Sequence, residues 1–348
     1  MRYQAFLIGD RPVGGDAPVL VIAEAGVNHN GDLDLALQLV DAAADAGADA
    51  VKFQTFRADR VAAPDAPKAA YQHETTNADE SQLEMLRRLE LPAEALRAIR
   101  DRAAERGILF LSSVFDESSV DVLEELGVPA IKLGSGEVTN IALLERVART
   151  GKPVLLSTGM STLAEVERAL AALDSVEEIV VLQATTNYPA DPADANLRAL
   201  HELKALGTAV GYSDHTPGDE TALAAVALGA CVVEKHLTLD RSLPGPDHAA
   251  SVEPSELKRL VDSIRVVERA LGSGVKEPSD SELATRDAVR RSLTAARALP
   301  AGTVLTEDAL VAVRPGTGIP PNCRGELVGR TLTRAVAEGE QLAWEDVA

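Results

Sequence analysis

Eight short apolar runs recur along the chain, and helical patterns separate most of them. The runs are rich in Val, Ile and Leu and occupy residues 19–26, 48–56, 108–115, 130–137, 153–160, 178–189, 208–216 and 231–240. Most intervening segments carry apolar residues at i, i+3, i+4 and i+7, with Gly near the end, which is the pattern of an amphipathic helix. Strand and helix alternating eight times predicts a (β/α)8 TIM barrel, an α/β fold.

An open doubly wound sheet is the competing fold, but it normally has fewer parallel strands and often a GxGxxG turn, which is absent here. We expect a barrel domain over 1–272, a linker over 273–290, and a small β-rich domain over 291–348. Residues 57–107 interrupt the barrel rhythm with a polar loop and two helix-like stretches. A long loop beside a barrel mouth is usually functional, although it can be a plain surface excursion.

The eight runs open with apolar residues and close on polar ones. In a barrel the carboxyl ends of all strands meet at one mouth, so the polar residues are expected around one cavity. The period-two alternation of a strand then tells which side chains face inward. Lys52 and Gln54 share one face, Thr186 and Tyr188 share another, and Lys235 is expected to point outward.

Only eight of the 34 basic residues are Lys, and two of them, Lys52 and Lys132, are expected inside the mouth. Small hydroxyls accompany them from other strands, at Ser113, Ser135, Ser157 and Ser213. Ammonium groups, hydroxyls and Gly-flanked backbone amides predict a site for a small phosphate or carboxylate. The alternative is that each Lys only pairs with a barrel glutamate.

The chain carries a formal charge of −20, so its surface repels polyphosphates. A nucleic-acid partner and a membrane partner are therefore not expected, and any anion site must be a local island of positive charge. Two cysteines are too few for a disulfide framework, and the first residues lack the long apolar run of a signal peptide. We expect a cytoplasmic protein.

Two histidines, His215 and His236, end the seventh and eighth runs, which are neighbours in a barrel. Two imidazoles can bind one divalent ion and leave positions open for substrate oxygen, or they can act as general acids or hydrogen-bond donors. Glu24 and Glu137 also reach the mouth, where each could take a proton or only neutralise a lysine. Asp247 lies in a Pro- and Gly-rich loop after the eighth run.

Eight motifs in this order resemble the sialic acid synthase family, which includes bacterial N-acetylneuraminate and N,N'-diacetyllegionaminate synthases. They are IAEAGVNHNG (22–31), VKFQTF (51–56), ESQLEMLRRLEL (80–91), IKLGSGE (131–137), LLSTGM (155–160), GYSDHT (211–216), VVEKHLTLDRSLPGPDHAAS (232–251) and RPGTGI (314–319). The family's second domain is an antifreeze-like SAF fold, in agreement with the β-rich pattern of 291–348.

The resemblance implies an enzyme that condenses phosphoenolpyruvate with N-acetylmannosamine to a nine-carbon 2-keto sugar acid and phosphate. It implies that His215 and His236 bind a divalent metal, usually manganese, with magnesium or cobalt also possible. The phosphoenolpyruvate cradle would comprise Lys52, Ser113, Lys132, Ser135, Ser157, Thr186 and Ser213. Glu24, Gln54, Asn77, Tyr188 and Asp247 match sugar-facing positions, and Glu137 is a candidate for activating water. Arg314 would reach the sugar from the partner chain of a domain-swapped homodimer.

The sixth run departs from the family pattern, because Gln183 and Ala184 stand where many relatives have His and Cys. Thr186 also replaces an Asn that some relatives direct at the phosphate. These changes leave the reaction class unchanged and the sugar open. One alternative is a legionaminate or related synthase acting on a 2,4-diacetamido-6-deoxy sugar, and a different one is a sugar-binding barrel without catalysis.

Overall fold

The computed structural model describes residues 4–77 and 79–348 and divides into two compact units, Met1–Gly272 and Ser273–Ala348. The first unit opens with an antiparallel hairpin, β1 (Phe6–Ile8) and β2 (Arg11–Val13). Ile8 and Val13 are fully buried in one cluster with inward-facing barrel residues. A Cβ at Gly9, in the hairpin turn, would lie 2.9 Å from Leu109 at the start of a barrel strand. The hairpin therefore covers the amino-terminal end of the barrel.

Eight parallel strands close into a barrel, in the order β10-β3-β4-β5-β6-β7-β8-β9. They are β3 (Leu20–Gly26), β4 (Ala50–Thr55), β5 (Leu109–Val114), β6 (Ile131–Leu133), β7 (Val154–Ser157), β8 (Ile179–Ala184), β9 (Ala209–Asp214) and β10 (Val232–His236). The predicted (β/α)8 barrel is confirmed.

Helices follow the strands and begin and end where the local sequence directs. They are α1 (Leu33–Asp45), α2 (Ala58–Val61), α3 (Ala70–Thr75), α4 (Gln82–Leu89), α5 (Ala93–Glu105), α6 (Glu117–Leu126), α7 (Ile141–Ala148), α8 (Leu163–Ala172), α9 (Ala199–Ala205), α10 (Glu220–Ala227) and α11 (Pro254–Leu271). Thr162 and Glu165 form a capping box at the start of α8. Gly127 ends α6 in the left-handed conformation, with φ +68°.

Alternation along each strand separates two apolar layers. On β3, Val21 and Ala23 pack outward against the helices, whereas Leu20 and Ile22 fill the barrel interior. Apolar residues such as Leu111 and Leu155 occupy the same interior layer from other strands. Towards the carboxyl ends the inward positions become polar, so the barrel has an apolar base and a polar mouth.

Residues 57–107 follow β4 and contain helices that pack beside the barrel mouth. The expectation of two helix-like stretches over 57–107 is met by α4 and α5, and the short helices α2 and α3 precede them. Apolar side chains of α2 and α4 form a hydrophobic cluster of their own with residues from the ends of neighbouring strands, including Val27 and Phe115. The segment therefore has a core separate from that of the barrel wall.

The second unit is small and β-rich, as the sequence predicts. It contains α12 (Asp280–Val289), antiparallel strands β11 (Ser292–Ala295) and β12 (Leu310–Val313), and α13 (Arg324–Leu327). Isolated antiparallel bridges such as Leu299 with Val336 extend the pairing. The segment predicted as a linker holds α12, which buries none of its side chains.

Candidate active site

A cavity of about 270 Å³ opens at the carboxyl-terminal mouth of the barrel. The structure brings all but two of the predicted site residues together around it. These are Glu24, Lys52, Gln54, Ser113, Lys132, Ser135, Glu137, Ser157, Thr186, Tyr188, Ser213, His215, His236 and Asp247. These residues come together because the carboxyl ends of the parallel strands meet at one mouth, and on each strand the polar residues follow the apolar stretch.

Charged groups form the floor of the cavity. The Nζ atom of Lys52 lies 2.7 Å from Glu24 Oε2 and donates a 2.7 Å hydrogen bond to Ser113 Oγ. Glu234 stands between the two lysines, with carboxylate oxygens 3.7 Å from Lys52 Nζ and 3.6 Å from Lys132 Nζ. Ser213 Oγ donates to Glu234 Oε1 at 2.8 Å. Lys52 and Lys132 therefore line the cavity, as expected, and they also pair with glutamates, as the alternative stated.

The two carboxyls of this floor differ in their affinity for a proton. Burial raises the pKa of Glu24 to about 7, although Lys52 opposes the shift. Burial also raises the pKa of Glu234, but Lys132 and Lys52 outweigh it and lower that pKa to about 2. Burial lowers the pKa of Lys132 to about 8. Near neutral pH, Glu234 is charged and Glu24 can hold or release a proton, an arrangement typical of acid–base sites.

Small hydroxyls beside the floor have unused hydrogen-bonding capacity. The buried Oγ of Ser157 and Oγ1 of Thr186 have no hydrogen-bond partner among the described residues. Ser135, in a 3-10 turn directly after β6, accepts a 2.9 Å hydrogen bond from the Gly159 amide. Buried unpaired polar atoms in a native protein need a partner, which a bound ligand can supply.

The two imidazoles lie side by side, with ring centroids 5.4 Å apart. His215 Nδ1 donates to the Thr185 carbonyl at 2.6 Å, which leaves the Nε2 lone pair for another partner. Burial lowers the pKa of His215, and burial and the neighbouring His215 hold the pKa of His236 well below its ordinary value. Both rings are therefore neutral at pH 7, as metal binding requires.

No cluster of three or more His, Cys, Asp or Glu side chains suited to a metal ion occurs within residues 4–77 and 79–348. A cation bound by the two imidazoles would take its other ligands from water or substrate. Such a site fits a metal that activates a substrate oxygen, since catalytic sites keep positions open. The buried Nδ1 of His236 lacks a hydrogen-bond partner among these residues.

Residues matched to sugar contacts line the upper cavity. Gln54 Nε2 donates to Glu24 Oε1 at 3.2 Å, and Tyr188 stacks between Tyr71 and His215 at centroid distances of 5.1 and 4.2 Å. Burial raises the pKa of Asp247 to about 6. Burial also raises the pKa of Glu137, whose carboxylate accepts a 2.8 Å hydrogen bond from Asn140 Nδ2.

Two predicted residues do not line the cavity. Asn77 is exposed, and its Oδ1 accepts the Asp79 amide proton at 3.2 Å, so the side chain stabilises its own turn. Arg314 is an exposed residue of the second unit, and its Nε donates to the Val289 carbonyl at 2.8 Å. A role for Arg314 remains a prediction.

Sequence reasoning missed Glu234 and Tyr71 as site residues. Glu234 shares an inward face with His236, but its carboxylate is recognisable as part of the site only when the two lysines are seen beside it. Two departures from the family pattern lie on β8 and just after it: Gln183 donates to the Ala195 carbonyl outside the cavity, whereas Thr186 lines the cavity. The Gln183 change therefore acts on the loop after β8 and not on the floor.

Comparisons with known proteins identify the family of the chain. Residues 39–276 match the model of the NeuB family, and residues 290–348 match the SAF domain. The N,N'-diacetyllegionaminic acid synthase of Legionella pneumophila is 46% identical over 97% of each chain. The enzyme of the same name from Campylobacter jejuni is 47% identical over 92% of this chain and 98% of its own.

A solved relative has the same fold. The N-acetylneuraminic acid synthetase of Leptospira borgpetersenii superposes with a TM-score of 0.73 at 36% identity, covering 82% of this chain and 95% of its own. No described helix has the length and apolar character to cross a membrane. The expectation of a phosphoenolpyruvate-dependent condensing enzyme is confirmed by relatives that are named synthases. The chain belongs to the NeuB family of sialic acid and legionaminic acid synthases and carries a C-terminal SAF domain.

Proposed function

We propose that this enzyme condenses phosphoenolpyruvate with a 2,4-diacetamido-6-deoxy hexose, giving an N,N'-diacetyllegionaminic acid and phosphate. The first expectation from sequence, N-acetylmannosamine as acceptor, is not confirmed. Two relatives named for diacetyllegionaminic acid are 46% and 47% identical to the chain, against 36% for the solved sialic acid synthetase. This difference supports the alternative acceptor.

One observation carries the reaction: a buried pair of lysines lies in the same cavity as two neutral imidazoles. Lys52 and Lys132 supply positive charge for the phosphate and carboxylate of phosphoenolpyruvate. The unpaired hydroxyls of Ser157 and Thr186 supply hydrogen bonds to the same groups. The low pKa of Glu234 keeps a negative charge between the lysines, which limits how tightly the released phosphate is held.

The bonds balance as follows. Carbon 3 of phosphoenolpyruvate bonds to the aldehyde carbon, water adds to carbon 2, and the bond between carbon 2 and the phosphate oxygen breaks. The added water loses two protons as its oxygen becomes the carbonyl oxygen of carbon 2. One of them balances the proton gained by the aldehyde oxygen, and the other leaves with the phosphate. Glu24, with a pKa near 7, can hold or release a proton at the floor, and Glu137 stands at the rim as a candidate for accepting one from water.

His215 and His236 would hold a divalent cation, with manganese the first candidate, and the bound cation would polarise the aldehyde oxygen as a Lewis acid. The remaining task belongs to the chain's own groups, which hold both reactants close in a cavity of limited volume. No covalent attachment of substrate to the protein is needed for these bond changes.

The test measures phosphate released from phosphoenolpyruvate with each sugar, with manganese present and after chelation. We expect release with the 2,4-diacetamido-6-deoxy sugar and loss of turnover after chelation. A higher kcat/KM for N-acetylmannosamine would overturn the proposed acceptor. Absence of release with both sugars would overturn the condensation itself and favour a barrel that only binds sugar.

A further inference from the structure

One face of helix α4 lines the active-site cavity. Gln82, Met85, Leu86 and Leu89 stand at positions i, i+3, i+4 and i+7, and all four border the cavity. This spacing places them in one stripe along the helix. A capping box between Ser81 and Glu84 starts the helix, so the stripe begins at a defined residue.

The apolar part of this stripe belongs to a packed wall. Met85 and Leu89 are buried and Leu86 is half-buried, in one cluster with Val27 and Phe115, which also border the cavity. A neighbouring loop packs directly against α4. A Cβ at Gly31, where φ is +78°, would lie within 2.3 Å of the Arg88 carbonyl oxygen, so the β3–α1 loop lies directly against the end of α4.

Gln82 gives the stripe one polar group. No hydrogen bond joins its side-chain carboxamide to any residue in the described part of the chain, although the residue is only partly exposed and borders the cavity. A carboxamide offers one acceptor and two donor hydrogens. An acetamido group on a ligand is its complement, with an N–H, a C=O and a methyl group.

The floor and the α4 wall lie at different depths of the cavity. Floor residues such as Lys52 and Lys132 lie within strands, whereas the wall comes from segments that follow the strand ends. With phosphoenolpyruvate over the floor, the aldehyde carbon must lie next to it, so the far carbons of the sugar extend away from the floor, where the wall is one of the surfaces that line the cavity. A hydroxyl placed there would lose its hydrogen bonds to water without a replacement, whereas a methyl group would not.

We propose that the α4 stripe selects the acceptor sugar by the substituents on carbons 4 and 6 of the sugar. Leu86, with Met85 and Leu89, contacts the deoxy carbon 6, and Gln82 pairs with the acetamido group on carbon 4. This inference rests on the proposed condensation and assigns its sugar specificity to one helix face. N-acetylmannosamine carries hydroxyls at both positions and is disfavoured by the same surface.

The test compares kcat/KM for the diacetamido-deoxy sugar with kcat/KM for N-acetylmannosamine, at saturating phosphoenolpyruvate. We expect the unaltered enzyme to prefer the first by roughly 10²-fold. Leu86→Gln offers a partner to a carbon 6 hydroxyl and lowers the ratio about tenfold. Gln82→Ala removes the amide partner and lowers the ratio about fivefold to tenfold. The KM for phosphoenolpyruvate stays within about twofold in both variants.

Matched controls lie on the same helix. Leu83→Met keeps an apolar side chain at a buried position of the same cluster that does not border the cavity, and Arg87→Ala alters an exposed residue. Neither control changes the ratio, whatever stability it loses. If Leu86→Gln fails to fold, the partly exposed Gln82 still provides the test. An unchanged ratio in folded Gln82→Ala would overturn the role of α4, whereas no phosphate release with either sugar would overturn the condensation.

Discussion

Three buried lysines on the barrel strands have two different environments, decided by the side of the strand on which each lies. Lys52 and Lys132 face inward and share Glu234 in the cavity floor. Lys235 faces outward, where its Nζ lies 2.7 Å from Asp214 Oδ2 and donates to the Thr216 carbonyl. The three side chains are about equally buried, so the direction of the side chain alone places two lysines in the candidate site and the third in an ion pair behind the strands.

Replacing Lys132 and Lys235 with Met, one at a time, tests whether the two lysines have different roles. We expect Lys132→Met to raise the KM for phosphoenolpyruvate by roughly 10-fold to 100-fold, because the variant lacks the charge-assisted contact proposed for Lys132. The fold tolerates the change because Glu234 keeps Lys52 as a partner. Steady-state kinetics with phosphoenolpyruvate as the varied substrate check the prediction.

The control is Lys235→Met, which leaves the Asp214 carboxylate without its cation. Breaking a buried ion pair in this way costs about 3–5 kcal/mol of unfolding free energy. We expect a lower unfolding midpoint in urea and an unchanged KM for phosphoenolpyruvate. Equal KM values in the two variants would contradict the assignment of Lys132 to the substrate.

The turn between β7 and α8 brings backbone close to side chains that follow two other strands, β6 and β8. At Gly159 a Cβ would lie 2.1 Å from Thr186 Oγ1 and 2.9 Å from Ser135 Oγ. The Gly159 amide also donates to Ser135 Oγ. Only glycine permits this approach, which brings the backbone against two residues of the predicted phosphate cradle, Ser135 and Thr186.

Gly159→Ala should therefore damage binding more than folding. The new methyl group displaces the Ser135 and Thr186 hydroxyls, and we expect the KM for phosphoenolpyruvate to rise by about 10-fold or more. Gly325→Ala serves as the control, because a Cβ there meets nothing within 4 Å. A normal KM in Gly159→Ala would show that these hydroxyls do not contact the substrate.

Element prediction succeeded where a long periodic pattern was present. The eight strands and helices α4 and α5 follow from apolar spacing, because each buries one stripe or both faces in a layer of the barrel. Helices α2 and α3 have four and six residues, too few to display a period. Asn77 matches a sugar-facing position of the family, but its Oδ1 accepts the Asp79 amide proton and the residue does not line the cavity, so its contact with sugar stays a prediction.

At the scale of the whole molecule, the charge of −20 coexists with a predicted site for a small anion. Charge repulsion in water is screened over about 10 Å at ordinary ionic strength, so distant surface carboxylates act weakly on a buried pocket. Lys52 and Lys132 lie inside the barrel, where a small anion in the cavity would meet them at contact distance. A polyanion would instead meet the acidic surface.

We propose that the active enzyme is a homodimer in which Arg314 of the partner subunit contacts the sugar, as the family resemblance implies. Arg314→Ala should raise the KM for the sugar by roughly 10-fold or more and leave that for phosphoenolpyruvate near normal. Chains carrying Arg314→Ala mixed with chains carrying His236→Ala should recover part of the activity, since one site then has both groups. Phosphate release by purified heterodimers measures this recovery, and none in verified heterodimers would contradict the shared site.

The sequence by itself determined the barrel, the β-rich second domain and most of the cavity lining, because these depend on apolar period and on the order of residues along each strand. Only the tertiary structure decided which charges act together. Glu24 and Glu234 are both buried glutamates within strands, but of the two floor lysines Glu24 pairs only with Lys52, whereas Glu234 lies within 4 Å of both. Burial therefore raises the pKa of Glu24 to about 7, and the two lysines lower that of Glu234 to about 2. The stripe of Gln82 and Leu86 likewise became a candidate specificity surface only when α4 was seen beside the cavity. Spacing along the chain sets the direction of a side chain, whereas electrostatic and apolar contacts depend on distances between segments far apart in sequence.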